Sequence, residues 1–372
     1  MNIILHAARL SLPTLFFGYA IVANLSLLSK PLPDLTLADS GLLSGGLTRD
    51  FDGLYKSGLP HVSPSFGLIG ATRYALLNEA RQGALVGADG WLFTAEETRS
   101  VPSDEELAAI TAQLIVIRDQ LEQGGTELVL VPLPAKIDVA RAFSPDQAYG
   151  RALEDLYARF TIQMTGEGLV VVDARKALLA AGDTGFFATD THWTPLGASL
   201  VARAVAQSGS VQPGSLAYDR KEGPAKSVTG DLVSFVTTPG LAPHLGLAPE
   251  RVVPIVQTPQ TSDDDIFGEA GPDIVLVGTS YSANPDWGFA DAMMLALGRD
   301  VVSVAEQGRG PYAPMQDYLA SADFAAAPPA VVIWEIPVRY LTDPAMWEAT
   351  GQPGPAAATG VASSLTGQNA DG

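Results

Sequence analysis

Five short apolar runs rich in β-branched residues constrain this chain most. They are ELVLVPLP (127–134), LVVVDA (169–174), DIVLVG (273–278), DVVSVA (300–305) and PAVVIWE (329–335). None alternates polar with apolar, so each reads as a strand buried on both faces. Helical segments separate them. That order predicts an α/β fold, with a mostly parallel central sheet covered by helices on both sides. The composition agrees, because 47% of the 372 residues are apolar and can fill such a core.

Helix boundaries are legible in several places. Over 103–125, Ser103 is placed to cap a helix, Glu106 completes a capping box, and Gly124-Gly125 ends it. The stretch 149–168 (YGRALEDLYARFTIQMTGEG) reads as a second helix. Thr194 can cap a third, with Pro195 at its first position. Further helices are expected near 286–298 and 312–322. Residues 83–93 read as two short strands joined by a turn at Asp89-Gly90. Residues 31–84 show no strong period, and 210–270 read as irregular, with Thr-Gly-Asp-Leu at 229–232. The end of the chain is low in complexity and is expected to be disordered.

Charge and the N-terminus narrow the possible roles. Acidic residues outnumber basic ones 41 to 22, a net charge of −19, which disfavours a nucleic-acid partner. The absence of cysteine removes disulfides, thiolate metal sites and cysteine nucleophiles. No metal-ligand spacing is present, and no cofactor is expected. Leu10–Leu28 is nearly unbroken apolar sequence, with Arg9 before it and Lys30 after it. It reads either as an uncleaved membrane anchor or as a signal sequence cut after Ala20, with the anchor preferred for its length. The charges favour a cytoplasmic N-terminus with the rest exported. The expected organisation is therefore an anchor or signal sequence at 1–30, a juxtamembrane segment at 31–84, a main domain at 85–345 and a tail at 346–372.

In a parallel sheet, sites form beyond the carboxyl ends of the strands. Ser280 follows the run 273–278 directly and precedes a helix, a position that exposes a hydroxyl near backbone N–H groups. A serine nucleophile needs an imidazole base, and the imidazole needs an acceptor on its other nitrogen. Asp190-Thr191-His192 supplies both, since residues two apart in extended chain project to the same side. Spacing alone leaves an alternative open: Asp190 as a turn residue and His192 as a surface side chain. His6, His61 and His244 have no carboxylate at useful spacing.

The segments DTHWTPLGA and VLVGTSYS together resemble the AlgJ/AlgX group of polysaccharide O-acetyltransferases, whose domains are SGNH-hydrolase-like. LVGADGWLF, VPLPAK, TGDL, VAEQGRGPYAPMQDYL and VIWEIPVRYL follow in matching order, so the resemblance spans about 85–341. No carbohydrate-binding module follows Tyr340, so the AlgJ type is the nearer match. The resemblance implies a three-layer α/β/α sandwich with circularly permuted motif order and a catalytic triad of Ser280, His192 and Asp190. Thr279 stands where ordinary SGNH hydrolases carry an aspartate. Candidate oxyanion donors are the Ser280 amide, Gly308, Gly310 and Asn284, and turn geometry explains the last three equally well. Trp193 and Tyr281 can stack on a sugar or simply pack. Lys136, Glu335 and Arg339 lie past strand ends, within reach of substrate, though Glu335 and Arg339 can equally pair with each other.

The implied activity is acetyl transfer to a hydroxyl of an exported polysaccharide, alginate or similar, through an acetyl-serine. The implied partners are a membrane-bound O-acyltransferase as acetyl donor, the polysaccharide acceptor and other exopolysaccharide export proteins. The implied location is the periplasmic face of the bacterial inner membrane. The same triad would also serve a carbohydrate acetyl esterase, and a third reading is a non-catalytic subunit of an export complex.

Overall fold

The computed structural model describes residues 2–29, 52–56, 58–260 and 273–348. The expected tail therefore lies outside the described residues from 349 onward, as does the juxtamembrane segment up to 51.

The N-terminal apolar run lies in helix α1 (Asn2–Leu28). Leu12, Leu15, Phe16, Phe17, Ile21, Val22 and Leu25 are exposed, whereas Ala23 and Leu27 are buried. The Tyr55 hydroxyl donates to Asn24 Oδ1 at 2.6 Å, tying the end of α1 to the short segment 52–56. Among the described residues, no helix is long and apolar enough to cross a membrane, so the anchor expected at 10–28 gains no support there. Helix α2 (Val62–Leu77) occupies a stretch where the sequence shows no legible period. It exposes Phe66, Leu68, Ile69, Leu76 and Leu77 on several sides, which is why its sequence shows no single apolar stripe. Asn78 ends it in the left-handed conformation, a role asparagine tolerates.

Strands β1 (Ala84–Val86) and β2 (Leu92–Thr94) pair antiparallel around the expected turn, with Asp89 at φ 52°. Helix α3 (Asp104–Gln123) begins with the full capping box: Glu106 N–H donates to Ser103 Oγ at 3.2 Å, and Ser103 N–H donates to Glu106 Oε2 at 2.8 Å. Then come β3 (Glu127–Leu133), α4 (Gln147–Gly166), β4 (Val170–Val171), α5 (Ala174–Ala181) and α6 (Pro195–Ser208). β4 is shorter than its apolar run because Asp173 turns away to cap α5, accepting the Lys176 N–H at 3.1 Å. Thr194 caps α6 as expected, with Gly197 N–H donating to its hydroxyl at 3.1 Å.

The stretch expected to be irregular instead forms two small antiparallel pairs. β5 (Tyr218–Glu222) pairs with β8 (Ile255–Pro259), and β6 (Lys226–Val228) with β7 (Glu250–Val252). Their sequences hide this, since β5 is almost all charged and exposed and so lacks the alternation that betrays a strand. The chain then runs through β9 (Ile274–Val277), α7 (Phe289–Leu297), β10 (Val301–Ser303), α8 (Tyr312–Leu319) and β11 (Val331–Pro337).

The main sheet has the order β10-β9-β11-β3-β4, and every neighbouring pair is parallel. Each of the five apolar runs supplies one of these strands. β11 is central, and all seven of its residues are buried. Parallel pairing brings the carboxyl ends of β3, β9 and β11 to one edge: Lys136 follows β3, Ser280 follows β9, and Glu335 lies near the end of β11.

Candidate active site

Ser280 opens a single helical turn, Ser280–Ala283, immediately after β9. Thr279 precedes it as the capping residue, its hydroxyl accepting the Tyr281 N–H at 3.4 Å. Behind this turn sits the fully buried carboxylate of Glu335. It accepts the Thr279 N–H at 2.8 Å, the Thr279 hydroxyl at 3.1 and 3.2 Å, and the Ser282 hydroxyl at 3.0 Å. Burial pushes the Glu335 pKa up, against the lowering effect of these donors. Gly278 leaves room for this arrangement, since a Cβ there would lie 2.5 Å from Glu335 Oε2.

The Asp190–His192 segment is a loop folded back on itself. Phe186 and Trp193 form an isolated antiparallel bridge, Phe187 N–H donates to His192 O at 3.2 Å, and Thr194 N–H donates to Gly185 O at 3.0 Å. At its tip His192 Nδ1 lies 2.6 Å from Asp190 Oδ1, and His192 Nε2 lies 2.8 Å from Ser280 Oγ. The alternative of a solvent-facing histidine therefore does not describe this structure. A carboxylate on Nδ1 fixes the proton there and leaves the Nε2 lone pair toward the serine hydroxyl. The arrangement can accept the serine proton as the oxygen attacks.

Other groups fix the carboxylate of Asp190. The His192 N–H donates to its Oδ1 at 2.9 Å and the Asp231 N–H to its Oδ2 at 3.0 Å. Burial would raise its pKa, but the His192 side chain and these amides outweigh burial and hold it below the usual aspartate value. Asp231, from the Thr-Gly-Asp-Leu segment, is a neighbour to which the sequence alone assigns no role. Its Oδ1 accepts the Thr191 N–H at 2.8 Å. Burial, and then the charge of Asp190, push its pKa up. The preceding Gly230 is forced by close approach: a Cβ would lie 2.2 Å from Thr189 O. Asp190, His192 and Asp231 offer possible ligand atoms within 4.8 Å of one another, and both ring nitrogens of His192 are already engaged by Asp190 and Ser280. Glu250, on β7, accepts the N–H groups of Ala188 and Thr189 at 3.1 and 2.9 Å and the Thr189 hydroxyl at 2.9 Å.

Several expected substrate contacts lie inside the protein instead. Trp193 is fully buried, donates from Nε1 to Tyr281 O at 3.1 Å and packs on Phe289 with ring centroids 4.7 Å apart. It is a packing residue, so stacking on a sugar is excluded for this conformation. Tyr281 is equally buried. Its hydroxyl donates to Thr191 O at 2.8 Å and accepts from Arg339 Nη1 at 2.8 Å, so the residue beside Ser280 also grips the histidine loop. Arg339 is buried and its ion pair is with Glu96, at 3.1 Å, while the Glu335 carboxylate serves the Ser280 turn. The alternative of a Glu335–Arg339 pair is therefore not formed: Arg339 pairs with Glu96, and among the described residues Glu335 meets only neutral donors. Lys136 is buried and directs its ammonium at three backbone carbonyls rather than at solvent.

Gly308 and Gly310 have φ of 74° and 65°, so turn geometry accounts for both. Asn284 closes the Ser280 turn, its side-chain oxygen accepting the Asp286 N–H at 3.0 Å. An aromatic wall completes the site: the His192 ring lies 4.8 Å from Tyr281 and 5.9 Å from Trp287. Trp287 carries no sequence signal, because its place against His192 depends on tertiary packing alone.

Comparison with known proteins gives a consistent result. Residues 84–338 match the family model for the SGNH hydrolase-like domain of acetyltransferase AlgX. The chain is 33% identical over 329 residues to "Probable alginate O-acetylase AlgJ" of Pseudomonas aeruginosa, covering 84% of each protein. It is 29% identical over 286 residues to "Alginate biosynthesis protein AlgX" of Pseudomonas syringae, covering 73% of this chain but 59% of that protein. In structure it resembles the O-acetyltransferase domain of Pseudomonas putida AlgJ, with a TM-score of 0.60 and 34% identity over 71% of this chain and 93% of that one.

Proposed function

The chain belongs to the AlgJ/AlgX family of alginate O-acetylases, which are acetyltransferases, and from that premise we propose that Ser280, His192 and Asp190 transfer acetyl groups to hydroxyls of an exported polysaccharide. One observation carries this reading: His192 bridges Asp190 and Ser280 through hydrogen bonds of 2.6 and 2.8 Å. The chemistry runs in two displacements. Ser280 Oγ bonds to the acetyl carbonyl carbon while His192 Nε2 takes the hydroxyl proton. The donor's leaving group departs with that proton, leaving acetyl-serine. A sugar hydroxyl then attacks the ester, its proton passes to His192, and Ser280 leaves and is reprotonated. Asp190 holds the imidazole in the required tautomer and offsets the charge of the imidazolium.

The tetrahedral intermediates need N–H donors for their oxyanion. The Ser280 amide opens a helical turn, where no intrahelical acceptor exists, and is the first candidate. Gly308, Gly310 and Asn284 are the next. The Asp-His pair precedes the serine, so the motif order is that of a circularly permuted SGNH domain, and we take the helices to cover both faces of the sheet in three layers. The relatives named for alginate make that polymer, or one similar, the proposed acceptor. A membrane-bound O-acyltransferase is the proposed acetyl donor, in company with other polysaccharide export proteins. The proposed location is the periplasmic face of the inner membrane.

The test incubates the purified chain with an aryl acetate, with and without alginate oligosaccharides. Acetylated oligosaccharide supports transfer. Free acetate alone supports the esterase reading. Retention of either product by Ser280→Ala overturns the triad.

A further inference from the structure

We infer that Lys136 is a positioning residue for the general base, its buried ammonium stapling the Asp190–His192 loop to strand β2. The inference rests on the proposed triad, whose histidine that loop carries. Lys136 begins a helical turn just after β3 and is 1% exposed. Its Nζ donates to Leu92 O at 2.6 Å, to Ala188 O at 2.9 Å and to Asp190 O at 2.8 Å. An ammonium has three N–H donors, and here each meets a carbonyl. One carbonyl belongs to β2 and two to the loop, one of them on Asp190 itself. The rings of Trp91 and Phe93 lie 5.1 and 5.2 Å from Nζ, closing the remaining approach. The backbone of the lysine is fixed in turn, since the carboxylate of Glu97 accepts the N–H groups of Lys136 and Ile137 at 2.8 and 3.0 Å.

This arrangement works only while the amine is charged. A neutral amine has two N–H groups and a lone pair, so one of the three carbonyls would face the lone pair. Burial pushes the Lys136 pKa down to about 8. Four carboxylates around it resist that shift: Glu97 after β2, Asp190 in the loop, Asp231 in the turn that follows β6, and Glu250 on β7. Deprotonation near pH 8 therefore loosens the loop that orients His192, and the turnover rate falls on the alkaline side. Stability moves the other way. Between about 8 and the ordinary lysine value of about 10.4, the unfolded chain binds more protons than the folded one, so unfolding becomes harder as pH rises. A bond that served stability alone would not separate the two trends.

The experiment compares wild type with Lys136→Met, which keeps the length of the side chain without its charge. Hydrolysis of an aryl acetate is followed from pH 6 to 10, alongside thermal melting and the downfield proton resonance of the His192–Asp190 hydrogen bond. The expected result for the variant is a fall in kcat of about 100-fold, the scale of a misplacement near 1 Å, with KM within about twofold and no alkaline limb near pH 8. In wild type, activity and the downfield resonance should fade together through pH 8 while the melting temperature does not drop. A variant with unchanged kcat and limb overturns the staple. If the variant does not fold, wild type decides: melting temperature falling in step with activity overturns the inference, and its holding steady supports it. Ser280→Ala separates this from the triad reading. Retained activity there defeats the nucleophile, while the resonance still reports the staple.

Discussion

The proposed nucleophile and its proposed base are held by different means. Ser280 stands at the end of a regular strand, paired on both sides, and one buried carboxylate trims its turn. His192 stands on a loop tip outside the main sheet, where among the described residues a single strand-to-loop backbone bond runs from the Leu92 N–H to Ala188 O. Side chains from four separate segments tether it: Lys136, Asp231, Glu250 and Tyr281. Strand pairing sets one half of the site through the fold itself, whereas polar bonds that can be cut one at a time set the other half. The nucleophile half should therefore respond to mutation through the chemistry or through global stability, and the loop half by degrees.

The largest expected effect is common to both halves. Ser280→Ala and His192→Gln should each lower kcat by about 10⁴-fold or more, measured with an aryl acetate, at unchanged melting temperature. Asp190→Asn should cost about 10⁴-fold, because the new NH2 must face either the Asp231 N–H or the imidazole, and facing the imidazole favours the wrong tautomer. The next two variants set the halves against each other. Glu335→Ala strands the buried Thr279 N–H and should cost about 2 kcal/mol of stability in denaturant unfolding. Glu250→Gln loosens the loop and should lower kcat by about tenfold with a smaller stability change, the free-energy scale of one weakened charge-assisted bond. If Glu250→Gln lost stability without slowing turnover, the contrast between the halves would be wrong.

The smallest effect is one of pH, and its sign differs between the halves. Asp190 titrates below its ordinary value when folded, so its contribution is present above that value and lost as the pH falls through the folded pKa. Glu335 titrates above its ordinary value, so the folded state holds its proton longer and its contribution shrinks as the pH rises. Melting temperatures from pH 3 to 7 should therefore fall less on acidification for Asp190→Asn than for wild type, and more for Glu335→Gln.

Much of the frame is legible in the residues. Five unbroken apolar runs mark five buried parallel strands, and Ser103, Glu106, Thr194 and Pro195 carry their capping roles on their face. Asp190, His192 and Ser280 are readable because the chemistry needs those three types and strand ends are where sites form. The tethers are not. Glu250 reaches Thr189 across 61 positions and Asp231 reaches Thr191 across 40, and among 41 acidic residues neither has a local signature. Trp193 and Tyr281 are ambiguous for a related reason: an aromatic beside a catalytic residue looks the same in sequence whether it faces a sugar or the core.

The position of β11 has a consequence for assembly. It is the last strand of the sheet in chain order and yet the middle one in space, with Thr126 bonded to Pro329 across 203 positions. Glu335, which braces the Ser280 turn, and Arg339, which braces Tyr281, arrive with it. A chain that emerges N-terminus first thus cannot brace the Ser280 turn until nearly all of it has appeared. Contacts this remote also fold slowly. The proposed nucleophile thereby gains its full support only as one of the last acts of folding.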